Sequence, residues 1–413
     1  MKIIPALILV ALLLIFRPVY SVVINIPGDY PTIQDGINSA GDNDTVLVQP
    51  GRYYENIHFI GINITLGSLF LTTGDISYVT TTIIDGDSEG PVIGIGAGED
   101  STTVISGFTI QNGYAENGGG INCRSNPRLE YLNIVDNFAS NGGGGVDVFG
   151  ATPKLSNCII LRNHAGNYGG GMSNDMASLS MNGCVVAYNS TDGYAGGISN
   201  YTYSDITMAD CVVYGNIAES GGGVWNGGSY PTIVNSILWD NIPNQLSGSE
   251  STVTFCDIRG GWNGEGNIDC DPMYCNPAEG NFLLADISCC IGAGEGGTDI
   301  GALGVGCFAR EYFPGDVNMY NGSWPPLAIG GDVTYLVNYF RGFSSSQPCY
   351  FDSLWCSADV NGDCQVIGSD VTRFVKFCRC EGNIIYCSEH PPMWPRSDDL
   401  PPEAPEGWPG CEE

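Results

Sequence analysis

The sequence has few basic residues: 14 Lys and Arg stand against 45 Asp and Glu, and the formal net charge is −31 at pH 7. We expect no nucleic-acid partner, because affinity for nucleic acid depends on neutralising phosphates with Lys and Arg. Anionic membrane surfaces are disfavoured for the same reason. The acidity is compatible with calcium binding or with a solvated surface, so it does not identify a ligand by itself.

Long apolar runs are absent after the N-terminus, and we therefore expect no membrane insertion. Residues 1–21 combine Lys2, an apolar run from Ile3 to Phe16 and a small-residue cleavage site near Ser21, which is typical of a signal peptide. A transmembrane helix is the alternative, but the run is shorter than the roughly 20 residues that a span requires. The sequence predicts a secreted protein, extracellular or at the cell surface.

Helical periodicity is absent from residues 102–241, where a unit of about 25 residues repeats instead. Each unit has an asparagine after a short apolar run: Asn112, Asn137, Asn163, Asn189, Asn216 and Asn241. Runs of glycine keep the same period, and each is followed by an apolar residue: Ile121, Val146, Met172, Ile198 and Val224. Two features with one period indicate stacked coils of a repeat protein.

The unit predicts an all-β right-handed parallel β-helix, a solenoid of roughly eleven coils over residues 22–307, because β-branched runs alternate with glycine-rich turns. We expect the asparagines to bond to their counterparts in neighbouring coils and to tolerate left-handed turns. Five residues before each asparagine is a predicted inward column: Gly107, Leu132, Cys158, Cys184, Cys211 and Ser236.

The 17 cysteines divide unevenly along the chain. Export would make disulfides possible. Four cysteines lie in the coils, where we expect buried free thiols, since a free cysteine behaves as a small apolar residue: Cys123, Cys158, Cys184 and Cys211. The others lie between Cys256 and Cys411, and their odd total leaves at least one thiol unpaired or intermolecular.

Before the repeats, Thr32 and the apolar pair Ile33 and Ile37 predict a short capped helix over the open end of the first coil. The segment Tyr30-Pro-Thr-Ile-Gln, followed by Asp44-Thr-Val-Leu-Val and a Pro-Gly turn, resembles the start of pectin-lyase-like β-helix proteins. Asn43 stands where those proteins usually have glycine.

The segment from Gly266 to Cys307 is similar to the closing segment of secreted β-helix repeat proteins. That resemblance implies a disulfide between Cys275 and Cys290, with Cys270 and Cys289 as competing partners.

Residues 308–388 follow another pattern. Oxygen-bearing residues fall at alternate positions of a loop, an amphipathic helix follows, and together they are typical of a calcium loop: Asp359, Asn361, Asp363, Gln365 (through its carbonyl) and Asp370. An earlier copy has Asp316, Asn318 and Asp332 but Tyr320 where an aspartate is expected, so we expect weaker binding there. A solvated acidic turn without metal is the alternative.

Two such loop-helix units resemble a type I dockerin, a small α-helical calcium-loop domain, and the resemblance implies a cohesin-like protein partner. Two departures lie in the second loop, where Cys364 replaces a glycine and Ile367 replaces a polar residue. Residues 389–413 form a Pro-rich acidic tail.

Candidate catalytic residues in the repeats are few. Asp136 and Arg162 precede their asparagines one coil apart, and His164 follows closely; the other members of this column are expected to be Gln111, Tyr188, Gly215 and Asp240. A surface ion pair is the favoured interpretation, because the column contains no cluster of carboxylates around Asp136 and Arg162. Asp147, Asp175 and Asp205 lie in other columns.

Three functions remain open. The sequence favours a non-catalytic β-helix that binds polysaccharide or a cell-surface polymer and is anchored through its calcium module. The alternatives are a polysaccharide lyase or glycoside hydrolase, and a surface adhesin or structural protein. A groove lined by aromatic rings would favour sugars, whereas ordinary packing between coils is the alternative for these rings: Tyr194, Tyr201, Tyr203, Trp225 and Trp239.

Overall fold

The structure is a computed structural model that describes residues 21–307. The expected signal peptide, the calcium loops with their cohesin-like partner, and the acidic tail lie outside these residues, apart from Ser21. No helix among residues 21–307 is long and apolar enough to cross a membrane.

The described residues form a parallel β-helix of about eleven turns, which confirms the solenoid prediction. Each regular coil passes through three long parallel sheets, which we call A, B and C, and some coils add a strand to a short sheet D between B and C. Strands pair in register from coil to coil; Asn133 lies beside Thr109 on one side and Ile159 on the other.

Sheet A has ten strands. In chain order they are Val23–Ile26, Thr45–Val48, Thr65–Ser68, Val104–Ser106, Arg128–Glu130, Lys154–Ser156, Ser180–Asn182, Thr207–Ala209, Thr232–Val234 and Thr252–Thr254. Sheet B has nine strands. They are Gly51–Tyr54, Thr82–Asp85, Thr109–Gln111, Asn133–Val135, Ile159–Leu161, Val185–Ala187, Val212–Tyr214, Ile237–Trp239 and Asp257–Ile258.

Sheet C has eight strands: Ile57–His58, Ile93–Ile95, Ile121–Cys123, Val146–Phe149, Met172–Asp175, Ile198–Tyr201, Val224–Gly227 and Leu246–Gly248. Sheet D has four: Tyr114–Asn117, Phe138–Gly142, His164–Ala165 and Ser190–Thr191. The helices are Ile33–Ser39, Phe70–Thr73 and Ser77–Thr81, with 3₁₀ turns at Pro277–Glu279 and Glu295–Gly297.

The core runs inside the coils as columns of identical or similar residues. The apolar residues after the glycine runs are all fully buried: Ile121, Val146, Met172, Ile198 and Val224. The coil cysteines are buried free thiols, also as predicted: Cys123, Cys158, Cys184 and Cys211. Stacking in register lets each inward side chain contact its equivalents above and below, so one continuous core fills the solenoid.

The predicted asparagine ladder exists from Asn137 to Asn241. Each side-chain amide donates to the Oδ1 of the next asparagine, at 2.9 to 3.0 Å, and to a backbone carbonyl of the preceding coil. Gln245 accepts from the last member at 2.7 Å. These amides are buried and fully bonded, which is how the solenoid tolerates a polar column at one corner.

Three details of the predicted register are wrong, all in the coil that contains Asn112. Asn112 lies one residue outside the ladder: Gly113 takes that position and its N–H donates to Asn137 Oδ1, at 2.9 Å. Consequently Phe108, rather than Gly107, stacks with Leu132. The left-handed backbone belongs to the residue before each ladder asparagine, at φ 53° to 60° for Asp136, Arg162, Tyr188, Gly215 and Asp240. Asn112 itself, at φ 56°, takes that position in its coil instead of Gln111.

The first coil is capped as expected. Thr32 Oγ1 accepts from the backbone N–H of Asp35 at 3.0 Å, and Ile33 and Ile37 are buried against the end of the core. Asn43 has φ 69°, a conformation that glycine adopts freely and asparagine tolerates.

After the last coil, the chain folds back along the outer face of sheet B. A small sheet E forms there from Tyr274–Asn276, Asn281–Ala285 and Val305–Cys307. Phe282, Leu284 and Ile300 pack with Val185, Val212 and Ile237, which point outward from sheet B. These outward apolar residues therefore have a cover supplied by the chain itself.

The predicted disulfide between Cys275 and Cys290 is wrong. Cys275 pairs with Cys307, and Cys270 pairs with Cys289. The reason is geometric, since the strand at Val305–Cys307 runs alongside Asn281–Ala285 and brings Cys307 to Cys275. Cys290 is a buried free thiol, and its Sγ donates to Asp257 Oδ2 at 3.2 Å.

Candidate functional site

Asp136 and Arg162 form a surface ion pair, which is the interpretation that the sequence favoured. Arg162 Nε and Nη2 donate to the two carboxylate oxygens of Asp136 at 2.9 and 3.0 Å, and about half of each side chain is exposed. The hydrogen bonds raise the pKa of the Arg162 guanidinium. Both groups are satisfied by each other, so neither is poised for catalysis.

His164 lies on sheet D and faces different partners. Its ring stacks on Phe138 with centroids 5.4 Å apart, and its Nδ1 lies 2.9 Å from Ser190 Oγ. Asp192 Oδ2 is 3.8 Å from Nε2. Phe138 stacks in turn on Tyr114, so His164 is one member of a ring column along sheet D.

Four aromatic residues gather at the border of sheets C and D, and we call Tyr168, Tyr194, Tyr201 and Trp225 the aromatic platform. Their rings form a closed set, with centroids 6.1 Å apart for Tyr168–Tyr194 and Tyr168–Tyr201, 5.1 Å for Tyr194–Trp225 and 5.9 Å for Tyr201–Trp225. Nearly half of Tyr194 and Tyr201 is exposed. The platform is therefore an apolar surface open to solvent.

The repeat places these rings. Tyr201 and Trp225 occupy outward positions of adjacent sheet C strands, because their neighbours Asn200 and Val224 point into the core. Tyr168 and Tyr194 form a parallel β-bridge one coil apart. Tyr168 directly precedes a glycine run, and Tyr194 lies two residues before the next one. Sequence reasoning missed Tyr168, although its distance from Tyr194 is one repeat and could have revealed it.

Two other aromatic residues of the expected groove behave differently. Tyr203 is 79% exposed and lies two residues after Tyr201 in the sequence. Trp239 lies on sheet B, where Arg259 stands over its ring at 5.9 Å and the folded-back segment packs nearby. The structure therefore assembles three of the five predicted rings into the platform and assigns Trp239 to packing.

Polar groups lie on the outward face of sheet C beside the platform. Arg124 Nη2 pairs with Asp147 Oδ2 at 2.7 Å, and burial raises the pKa of the Asp147 carboxyl. In this sheet Asp147 pairs with Ser173, and Phe149 pairs with Asp175, so the two aspartates are diagonal neighbours on one face. The two carboxylates were noted in the sequence as lying in other columns; the fold brings them together.

Two of these polar groups lack partners within the described residues. The Oγ of Ser199 and the Oδ1 of Asp175 are buried and make no hydrogen bond there. Ser199 is 1% exposed and lies between Ser173 and Trp225 in its outward column. Both atoms are covered by their neighbours, so they mark polar positions of this face that the fold leaves without a hydrogen-bond partner.

Asp205 is not part of this face. Its Oδ1 accepts from the backbone N–H of Tyr230 at 2.8 Å, which fixes a loop one coil away.

Two further features of the described residues are a surface depression and a cluster of possible metal ligands. A shallow depression of about 640 Å³ at the last coils is lined by Glu250, Trp262 and Asn263, apart from the platform. Asp257, Cys289 and Cys290 have ligand atoms within 4.8 Å of one another, but Cys289 is disulfide-bonded and cannot bind metal as a thiolate.

No protein-family model and no curated protein matches the chain. Among solved structures, the chain is similar to the pectate lyase Pel9A, with a TM-score of 0.39 and 11% identity over 69% of this chain and 97% of that one. A pectin methylesterase from Aspergillus niger gives a TM-score of 0.35 and 14% identity over 61% and 86% of the two chains. A pectin methylesterase mutant bound to a hexasaccharide gives 0.29 and 10% identity over 60% and 92%. We infer no activity from similarities at this level.

Proposed function

We propose that this protein is a secreted β-helix that binds a polysaccharide through the aromatic platform and is anchored through its C-terminal calcium module. The observation that carries the proposal is the platform itself. Four rings on consecutive coils remain open to solvent although similar rings on sheet B are packed under the protein's own chain. Exposed contiguous aromatic surface is typical of a binding site.

The chemistry of the platform fits a sugar. Aromatic rings offer a flat apolar surface to the C–H faces of pyranose rings, and adjacent polar atoms orient the hydroxyls. Asp175, which pairs with Tyr201 in sheet C and is partly exposed, supplies such a polar group beside the rings. The rigid, in-register strands hold both sets in place without a change of backbone shape.

The experiment compares binding of the full chain with variants of the platform. A glycan array identifies a bound polysaccharide, and calorimetry then measures affinity for Tyr194→Ala and Trp225→Ala. We expect each variant to lose about tenfold or more, which corresponds to one stacked ring. Tyr54→Ala is the control, because Tyr54 is an exposed aromatic residue in the first coils. Equal affinity in all variants would contradict the proposal and favour a protein partner instead.

Anchoring rests on the sequence motif at Asp359 to Asp370. Calcium titration of the full chain by calorimetry should show one clear site and a weaker second one from the copy that contains Asp316, Asn318 and Asp332. Asp359→Ala and Asp370→Ala should each remove the strong site. Unchanged calcium binding in both variants would exclude the loop and, with it, a calcium-dependent cohesin-like partner.

Catalysis is the second candidate function, and one observation favours it. Asp147 and Asp175 share a face beside the platform, and burial raises the pKa of Asp147. A carboxyl group with a raised pKa beside a second carboxylate is the arrangement of a general acid and base. Release of reducing or unsaturated ends from a bound polysaccharide, abolished by Asp175→Asn, would establish an enzyme. Binding without release supports the non-catalytic function.

A further inference from the structure

The coils that carry the platform contain no Lys or Arg side chain that could form an ion pair with a carboxylate of a ligand. Between Arg162 and Arg259 the chain has no Lys or Arg. Over the coils of the platform it has five carboxylates: Asp175, Asp192, Asp205, Asp210 and Glu219. Of these, Asp175 lies on the outward face of sheet C beside Tyr201, and Asp192 and Glu219 are exposed close to Tyr194 in the chain or in the next coil.

Among the described residues, the cations on the outward face of sheet C and at the corner of sheets B and D are already paired. Arg124 is bound to Asp147 at 2.7 Å and also donates to two backbone carbonyls. Arg162 makes its two-point contact with Asp136. His164 has Ser190 and Asp192 as neighbours. A ligand carboxylate at the platform would have no counter-charge among these groups.

We propose that the platform selects a polysaccharide without carboxylate groups, namely a neutral glycan such as a β-glucan, mannan or xylan. This inference rests on the proposed function and adds the substrate class. A polyuronate would place like charges beside Asp175 and Asp192, and such juxtaposition in an interface opposes binding. A neutral sugar makes the same ring contacts and brings no charge towards Asp175 or Asp192.

A neutral ligand is also favoured over a cationic amino sugar. The carboxylates around the platform are mostly exposed; Asp192, for example, has 80% of its side chain in solvent. Attraction of a cation by such charges, like their repulsion of an anion, is an effect of low ionic strength that salt screens. The rings, by contrast, act through contact and desolvation, which salt does not screen.

The experiment uses affinity electrophoresis and calorimetry on the full chain with three probes: a neutral glucomannan, polygalacturonate and chitosan. Each is measured in EDTA and in calcium, at about 50 mM and about 500 mM sodium chloride. We expect binding to the neutral probe that changes less than about twofold with salt and weakens about tenfold in Trp225→Ala. Polygalacturonate in EDTA should not bind at the lower salt concentration, where the repulsion is least screened.

A charge variant tests whether like-charge repulsion causes the selectivity. Asp192→Asn with Glu219→Gln removes two exposed carboxylates near Tyr194 without touching the rings. We expect its affinity for glucomannan to be unchanged. Detectable binding of polygalacturonate in this variant, absent from the parent chain, would support repulsion as the cause of selectivity.

The outcomes separate the two proposals. If Trp225→Ala binds every probe like the parent chain, or if no probe binds, the polysaccharide function fails and the specificity fails with it. If polygalacturonate binds in EDTA and requires Trp225, the function stands and the neutral specificity is wrong. Salt-sensitive, ring-dependent binding of chitosan in preference to glucomannan also overturns the neutral specificity.

Discussion

The outer faces of sheet B and sheet C carry similar residues but have opposite surroundings. On sheet B, Tyr214 is packed edge-on against Tyr274 and Phe282, with centroids 5.5 and 5.3 Å away. On sheet C, Tyr201 and Trp225 contact other rings of the platform and remain partly open. The solenoid builds outward aromatic columns on both faces, and the folded-back segment covers one of them.

The comparison distinguishes aromatic rings that are buried in the fold from rings that are exposed to solvent. Burial of Tyr214 beside Asp240 raises its pKa well above the usual range, and its hydroxyl donates to Asp240 at 3.0 Å. The Tyr214 side chain therefore contributes to the packing of the fold. The platform has no comparable cover among residues 21–307, and nearly half of Tyr194 and Tyr201 is exposed. The following predictions test that contrast, from the largest expected effect to the smallest.

Phe282→Ala should have the largest effect, because Phe282 is 1% exposed and fills the space between sheet B and sheet E. We expect the free energy of unfolding to fall by about 3 to 5 kcal/mol. Trp225→Ala, on the open face, should lower it by less than about 1.5 kcal/mol. Denaturant unfolding of both variants checks the comparison, and an equal loss would show that the platform is also structural.

Asn189→Ala tests the ladder at the corner between the two faces. The change removes two side-chain donor bonds and leaves the buried amide of Asn163 without its acceptor. We expect a loss of about 3 kcal/mol, since unsatisfied buried groups cost about 1 to 3 kcal/mol each. Asn167→Ala, in the exposed amide series with Asn141, is the control and should cost less than about 1 kcal/mol.

Asp257 should give the covered face a pH dependence. Burial raises its pKa to about 6, whereas an unfolded aspartate titrates near 4. The folded state therefore holds the proton more tightly, and the free energy of unfolding should fall as pH rises from about 4 to about 6, by at most about 3 kcal/mol. Asp257→Asn should remove this part of the slope. A wild-type slope retained in the variant would assign it to other carboxyls.

Arg162→Ala should have the smallest effect. Its ion pair with Asp136 is about half exposed, and such pairs contribute under about 1 kcal/mol. Thermal unfolding at low and high salt should show a small loss that salt reduces further. Glycan binding should be unaffected, and a loss of binding would move the site towards the corner of sheets B and D.

Much of the fold could be predicted from residues whose main contacts are with their own equivalents in the neighbouring coils. The period, the inward columns, the cap at Thr32 and the ladder beyond Asn137 follow from local chemistry, because each residue contacts its own equivalent one coil away. The prediction fails at Asn112, because that coil is one residue shorter than the spacing of the asparagines indicates. Register depends on the length of chain between two strands.

The candidate site was predictable in part. The rings of Tyr194, Tyr201 and Trp225 could be named as a set, and Asp147 and Asp175 as carboxylates of interest. Their meeting on one face depends on which residues of sheet C point outward, and the exclusion of Trp239 depends on the path of the closing segment.

The sequence by itself determined that this chain forms stacked coils with buried thiols, because a periodic pattern can bury its apolar residues in no other way than against its own copies. Tertiary structure alone decided the pairing of Cys275 with Cys307 and the choice of covered face, because both depend on where residues 268–307 return along the solenoid. A non-repeating segment has no equivalent in the neighbouring coil, and its position is set by contacts distant in sequence.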